Sequence, residues 1–152
     1  ALYLVDSFCA LYSEQIARLA KKYKSLMPTK EIGIHAHNNQ QLAFANTIEA
    51  VIQNVNFLDG TIFGIGRAAG NCPLELLLGF LKNPKYDLRP ILEILESHFV
   101  KLKEEIEWGY TIPYMITGIL DLHPRAGMKL RKSDNRDNYL GFFDGLVESD
   151  SA

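Results

Sequence analysis

The stretch Ile32-Gly33-Ile34-His35-Ala36-His37-Asn38-Asn39 decides how the rest of the chain is read. Its apolar lead-in reads as a buried strand, and on a strand residues i and i+2 point to the same side. His35 and His37 therefore share one face with Gly33, while Ile32, Ile34 and Ala36 take the other. Two imidazoles from one strand can grip a single ion, because neutral imidazole is the commonest protein ligand for divalent transition metals. A third ligand is needed. Paired histidines on a strand also occur as surface or core residues with no ion, so the spacing alone leaves both readings open.

Upstream, Leu2 to Val5 reads as a strand that ends at Asp6. Residues 12–27 carry helical periodicity through Ile16, Leu19, Ala20, Tyr23 and Met27, with Ser13 as cap and Pro28 as stop. Downstream, Asn38 or Asn39 can cap a helix whose apolar face is Leu42, Ala45, Ile48, Ile52 and Val55. A third strand is expected over 57–63. The loop Gly64-Ile65-Gly66-Arg67-Ala68-Ala69-Gly70-Asn71 then delivers the chain to Pro73, a favourable first helical residue, and to a helix ending near Leu81.

Three strand-then-helix units in a row predict an α/β fold with a parallel sheet and right-handed crossovers, either doubly wound or an eightfold barrel. The strand ends favour the barrel, whose functional groups sit at the carboxyl ends of its strands. Asp6-Ser7, His35 with His37, and the loop 64–71 all occupy that position. Three units cannot close a barrel, so the remainder is expected from missing sequence, another chain or self-association. The opening Ala1-Leu2-Tyr3 starts directly inside a strand and reads as a cut piece of something longer.

The bulk composition bounds the function. With 152 residues and 47% hydrophobic content the chain has the size and core of one ordinary domain. A net charge of −2 leaves no basic footprint for nucleic acid. No apolar run reaches the roughly 18–20 residues of a membrane span, so no membrane partner is expected. Cys9 and Cys72 fit neither a disulfide framework nor a C-x-x-C site; buried thiols in a reducing cytoplasm are the simplest account.

At this point the motifs carry a resemblance. Val5-Asp6-Ser7, then Gly33 to Asn38, then Asp59-Gly60-Thr61 through Gly64 to Glu75, are similar in order and type to the last three strands of the HMG-CoA lyase-like (DRE-TIM) metallolyase barrels. Trp108-Gly109-Tyr110-Thr111-Ile112-Pro113-Tyr114 lies where the 4-hydroxy-2-oxovalerate aldolases of that group add helices after the barrel. The resemblance implies the last three βα units of a TIM (β/α)8 barrel over residues 1–82 and a small helical C-terminal region over 83–152. It implies His35 and His37 as metal ligands with Asn71 beside the ion, as ligand or neighbour. Ser7 is placed to hydrogen-bond a substrate carboxylate, and Tyr110 to reach the pocket from the C-terminal helices. The family's metal-binding aspartate, its enolate-steadying arginine and its general base lie on the missing part, and Asp6 is not that aspartate.

The implied chemistry is aldol cleavage of a 4-hydroxy-2-oxo acid to pyruvate and an aldehyde, with a divalent ion as Lewis acid. Mn²⁺ is the expected metal, and Mg²⁺, Co²⁺ or Zn²⁺ suit similar donors. The resemblance also implies an acylating aldehyde dehydrogenase as partner, docking on the C-terminal helices. Open sheet edges predict oligomerisation.

Each motif has a plainer reading beside it. Asn71 can be only the cap before Pro73, and Ser7 only a turn residue. The G-x-G-x-x-x-G loop is one residue off the dinucleotide fingerprint and reads better as a tight turn. Trp108, Tyr110, Tyr114, Phe142 and Phe143 suit core or interface, and the apolar run 114–120 suits either. His98 reads as a surface residue and His123 as helix-terminal. In 83–152, helices are expected over 89–107, 114–122, 124–131 and 137–147. Alternatives to the aldolase are an acyl-CoA/2-oxo acid condensing synthase, which the short tail 148–152 disfavours, and a non-catalytic module. The chain by itself, lacking aspartate, arginine and base, is expected to be inactive.

Overall fold

The computed structural model describes residues 1–150, so the tail residues Ser151 and Ala152 lie outside the described part. Three strands, β1 (Leu2–Asp6), β2 (Ile32–Ala36) and β3 (Phe57–Leu58), form one sheet in the order β1-β2-β3. Both pairings are parallel, with Tyr3 level with Gly33, Val5 with His35, and Gly33 with Phe57. Parallel neighbours require crossovers, and these are α1 (Ser13–Leu26) and α2 (Ala43–Ile52), followed by α3 (Leu74–Leu81).

The two faces of the sheet differ as the alternation predicts. Leu4, Ile32, Ile34 and Ala36 point into a core with Ile16 and Ala20 of α1, Ala43 and Ala50 of α2, and Cys72 and Leu77. Asp6 has the same parity as Leu4 and is buried with it. The opposite face carries Tyr3, Val5 and His35, none of them fully buried. Both cysteines are buried free thiols, and among the described residues no helix is long and apolar enough to cross a membrane.

Several sequence expectations are corrected. Ser13 is the first residue of α1 rather than its cap: Tyr12 precedes the helix, and its N–H donates to Gln15 Oε1 at 2.8 Å. The buried side of α2 is Ala43, Asn46, Thr47 and Ala50, whereas Ile52 is 63% exposed and Ala45 is exposed. Small side chains let the helix lie close on the sheet, and its buried polar side chains each find a partner: Asn46 Nδ2 donates to Leu11 O, leaving its Oδ1 unpartnered, and Thr47 Oγ1 donates to Ala43 O. The third strand stops at Leu58 instead of Phe63. Beyond it a single bridge joins Thr61 to Pro73, and Phe63 and Gly64 turn through positive φ values of 55° and 60°. Pro73 precedes α3 in an extended conformation rather than opening it.

The C-terminal part is helical: α4 (Arg89–Ile94) runs through a π turn, Leu95–Phe99, into α5 (Val100–Glu105), and α6 (Ile112–Ile119), α7 (Arg125–Arg131) and α8 (Tyr139–Asp150) follow. Of these helices, α6 docks at the end of the sheet that carries the histidines. Gln40 Nε2 donates to Gly118 O at 3.0 Å, and a Cβ on Gly118 would come within 2.9 Å of Gln40. Glycine there lets α6 approach the loop after β2. Trp108, 5% exposed, donates from Nε1 to Phe63 O at 2.9 Å and packs edge-on against the Phe63 ring.

Candidate metal centre

His35 ends the open face of β2, and His37 lies just past the strand, where its N–H donates to Asp6 O at 3.3 Å. The rings of His35 and His37 stand 5.1 Å apart at 81°. Both side chains are half-buried. Burial above all, then the neighbouring His35 and Arg67, push the His37 imidazole below its ordinary pKa. That favours the neutral form, the one with a lone pair to give.

Asn71 reaches this pair through the doubled-back loop. Asn38 N–H donates to Gly70 O at 3.0 Å and Cys72 N–H to Ala36 O at 3.2 Å, so Asn71 lies opposite His37 in an isolated antiparallel bridge. Its Nδ2 donates to Ile65 O at 3.0 Å, while its Oδ1 is buried without a hydrogen-bond partner. Gly66 leaves room for it, since a Cβ there would meet the Asn71 amide where it now lies. Asn38, not Asn71, serves a helix start, its Oδ1 accepting from Ala43 N–H at 3.1 Å. The plain capping account of Asn71 thus finds no hydrogen bond to support it.

Two imidazoles and one orphaned amide oxygen on adjoining backbone are donors that fit a divalent cation of the Mn²⁺ to Zn²⁺ range. The set is incomplete: among the described residues no three His, Cys, Asp or Glu side chains gather as a metal site. Ser7 follows Asp6 directly and is exposed beside this end of the sheet, with no side-chain hydrogen bond among the described residues. Tyr110 is 52% exposed in the segment between α5 and α6 and is not hydrogen-bonded to either histidine. His98 is exposed on the π turn. His123 Nδ1 accepts from Arg125 N–H at 3.0 Å, and its ring packs on Phe8, as suits a residue at a helix start.

One residue of the site was not singled out from the sequence. Asp59 Oδ2 lies 3.0 Å from His35 Nδ1. The signal is its offset from β3: two residues beyond Phe57 it has the same parity, and extending the Gly33–Phe57, Ile34–Leu58 register by one residue brings it level with His35.

Residues 2–97 match the HMGL-like family. A 4-hydroxy-2-oxovalerate aldolase of Thermus thermophilus is 36% identical over 99 residues, covering 62% of this chain and 28% of the relative. An oxaloacetate decarboxylase of Mycobacterium tuberculosis is 38% identical over 81 residues, covering 53% and 24%. Among solved structures, the N-terminal domain of an aldolase candidate from Bacteroides vulgatus superposes with a TM-score of 0.78 at 32% identity, over 88% of this chain and 46% of that one. The HMG-CoA lyase of Bacillus subtilis superposes with a TM-score of 0.58 at 20% identity, over 68% and 37%, a likeness of fold. The chain thus spans about a quarter of the length of the curated relatives named here. With a family match over well more than half its residues, a parallel α/β sheet and paired histidines on its middle strand, the chain belongs to the HMGL-like family.

Proposed function

We propose that this chain supplies part of the active site of a divalent-metal-dependent lyase that cleaves 2-oxo acids, with a 4-hydroxy-2-oxo acid as substrate and pyruvate and an aldehyde as products. The observation that carries the reading is the meeting of His35, His37 and the unpartnered Asn71 Oδ1 at one end of the sheet. The two curated relatives add chemical support, because 4-hydroxy-2-oxovalerate and oxaloacetate are both 2-oxo acids. Cleaving either between C3 and C4 leaves an electron pair beside the 2-oxo group.

His35 and His37 would hold the cation by ring nitrogen and Asn71 by Oδ1. When bound, the cation would supply Lewis acidity toward the 2-oxo and carboxylate oxygens of the substrate. Ser7, exposed and next in sequence to Asp6, whose carbonyl accepts from His37 N–H, is assigned to the substrate carboxylate, and Tyr110 to the outer part of the pocket. The base that takes the 4-hydroxyl proton is assigned to sequence outside this chain, since His98 is exposed on the π turn of the helical region and His123 already accepts a backbone N–H. In this reading residues 1–82 are the C-terminal part of a (β/α)8 barrel and 83–152 a helical region where an aldehyde dehydrogenase would dock.

The test uses the full-length protein that carries this chain, wild type and His35→Ala/His37→Ala. Metal content, Mn²⁺ affinity and pyruvate release from a 4-hydroxy-2-oxo acid are followed in the same samples. Loss of both metal and pyruvate release in the double variant is expected. Metal that stays bound in the double variant, or a metal-loaded wild type that releases no pyruvate, overturns the reading. Pyruvate from oxaloacetate but not from the aldol would mark the decarboxylase instead.

A further inference from the structure

The open face of the sheet arranges its side chains in rows across the strands. The parallel register puts Tyr3, Gly33 and Phe57 in one row and Val5 and His35 in the next. Asp59 completes that second row. Its N–H donates to Ile34 O at 3.0 Å, which continues the β2–β3 ladder past Leu58 and holds the carboxylate beside His35. Oδ2 lies 3.0 Å from Nδ1, with the two side chains 44% and 31% exposed. From the first row, the Tyr3 ring crosses over Gly33 toward the same carboxylate. A Cβ on Gly33 would come within 2.5 Å of Tyr3 Cε1, so glycine is what lets the ring lie there. Burial first, then the charge of Asp59 and hydrogen bonding to it, raise the Tyr3 hydroxyl above its ordinary pKa, consistent with the hydroxyl facing that carboxylate.

We propose that Asp59 is the positioning residue of the His35 imidazole, holding Nδ1–H and so presenting Nε2 as the nitrogen that would take a divalent cation. An ionised carboxylate can only accept, so the shared hydrogen belongs to Nδ1; a neutral imidazole has one N–H, and its lone pair is then on Nε2. The same contact fixes the ring about its χ angles and increases its basicity, the two ways in which an outer carboxylate tunes a metal-binding histidine. Asp59 touches neither cation nor substrate in this scheme; it acts through His35. The cation half of the inference rests on the reading proposed above, whereas the tautomer of His35 does not.

The experiment labels histidine with ¹⁵N in the full-length protein and reads two-bond nitrogen–proton correlations without metal at about pH 8, above the ordinary imidazole range. His35 is expected with the hydrogen on Nδ1. In Asp59→Ala the hydrogen moves toward Nε2, and Mn²⁺ titrated into the same samples binds about 10- to 100-fold more weakly. Asp59→Asn keeps an acceptor oxygen and recovers part of both, which also secures the test where the alanine variant folds poorly. Nε2–H in the wild type overturns the proposal, and so does an Asp59→Ala protein whose His35 tautomer is unchanged, even if its Mn²⁺ affinity falls. A wild type that binds no Mn²⁺ sinks the metal reading alone, because the tautomer still decides the role of Asp59.

Discussion

His37 and Asn71 face each other in an antiparallel bridge at the end of a sheet whose strands are all parallel. The local reversal is the work of the loop 64–71, which leaves the sheet, turns at Gly70 and comes back past the end of β2. Its geometry is closed by two backbone bonds, Asn71 N–H to Gly64 O and Gly70 N–H to Arg67 O, each 3.0 Å long.

Gly70 is the position on which that return depends. Its φ is 85°, and a Cβ there would run into the carbonyl oxygen of Gly64. Gly70→Ala combines a left-handed backbone with an overpacked contact, together about 3 kcal/mol of destabilisation. Urea denaturation should read that loss, and Mn²⁺ affinity should fall with it; a variant of wild-type stability would show that the loop relaxes freely.

Asn71 has two separable jobs. Asn71→Ala removes both the Ile65 bond and the free oxygen, and is expected to weaken Mn²⁺ binding at least tenfold while costing about 1 kcal/mol of stability. Asn71→Asp keeps an oxygen donor but cannot donate to Ile65, so it should bind metal better than the alanine variant while being no more stable. Calorimetric titration and thermal melts on the pair separate the two effects.

Trp108 ties the helical region to the same loop. Trp108→Phe loses the bond to Phe63 O and is expected to cost about 1 kcal/mol, and Trp108→Ala about 3–5 kcal/mol. If the indole merely covers the loop, the phenylalanine variant will melt with the wild type.

Cys72 gives a pH signature. Burial pushes its thiol from 9.0 up to about 11. Its unfolded counterpart ionises from pH 9 upward while the folded thiol keeps its proton until pH 11, so this group's contribution is intact below pH 9 and is lost as pH rises through that window. Cys72→Ala should therefore lose stability less steeply than wild type on titration from pH 8.5 to 10.5. Iodoacetamide should leave folded Cys72 unmodified and label it on unfolding; fast labelling of the native protein would contradict its burial.

The sequence disclosed the histidine face because strand alternation is a local rule: Ile32, Ile34 and Ala36 are in the core and His35 is not. The helix layer was harder to read. On α2 the larger apolar residues, Ile48 and Ile52, were assigned inward, yet the helix buries Ala43, Asn46, Thr47 and Ala50. Close approach favours small side chains, and the one hydrogen bond of the Asn46 side chain goes to Leu11, a partner far away in sequence. β3 is shorter than its pattern suggests because apolar residues flank Asp59-Gly60-Thr61 on both sides, at Phe57-Leu58 and Ile62-Phe63, and the positive φ of Phe63 has no signature of its own. Asn71 was legible from the resemblance, but its placement against His37 depends on long-range backbone bonds. Asp59 stands in the motif but carries no role there, because only the pairing of β2 with β3 brings its carboxylate to His35.

The pleat of β2 also divides labour within five residues. Ile34→Ala would carve into the core at about 2–5 kcal/mol, whereas replacing the adjacent, half-exposed His35 leaves that packing untouched. Stability and reactivity are thus written on alternate letters of the same strand. Mutation can rework the letters of the open face without spending the structural ones, which gives this scaffold room to change the chemistry of that face while remaining the same folded object.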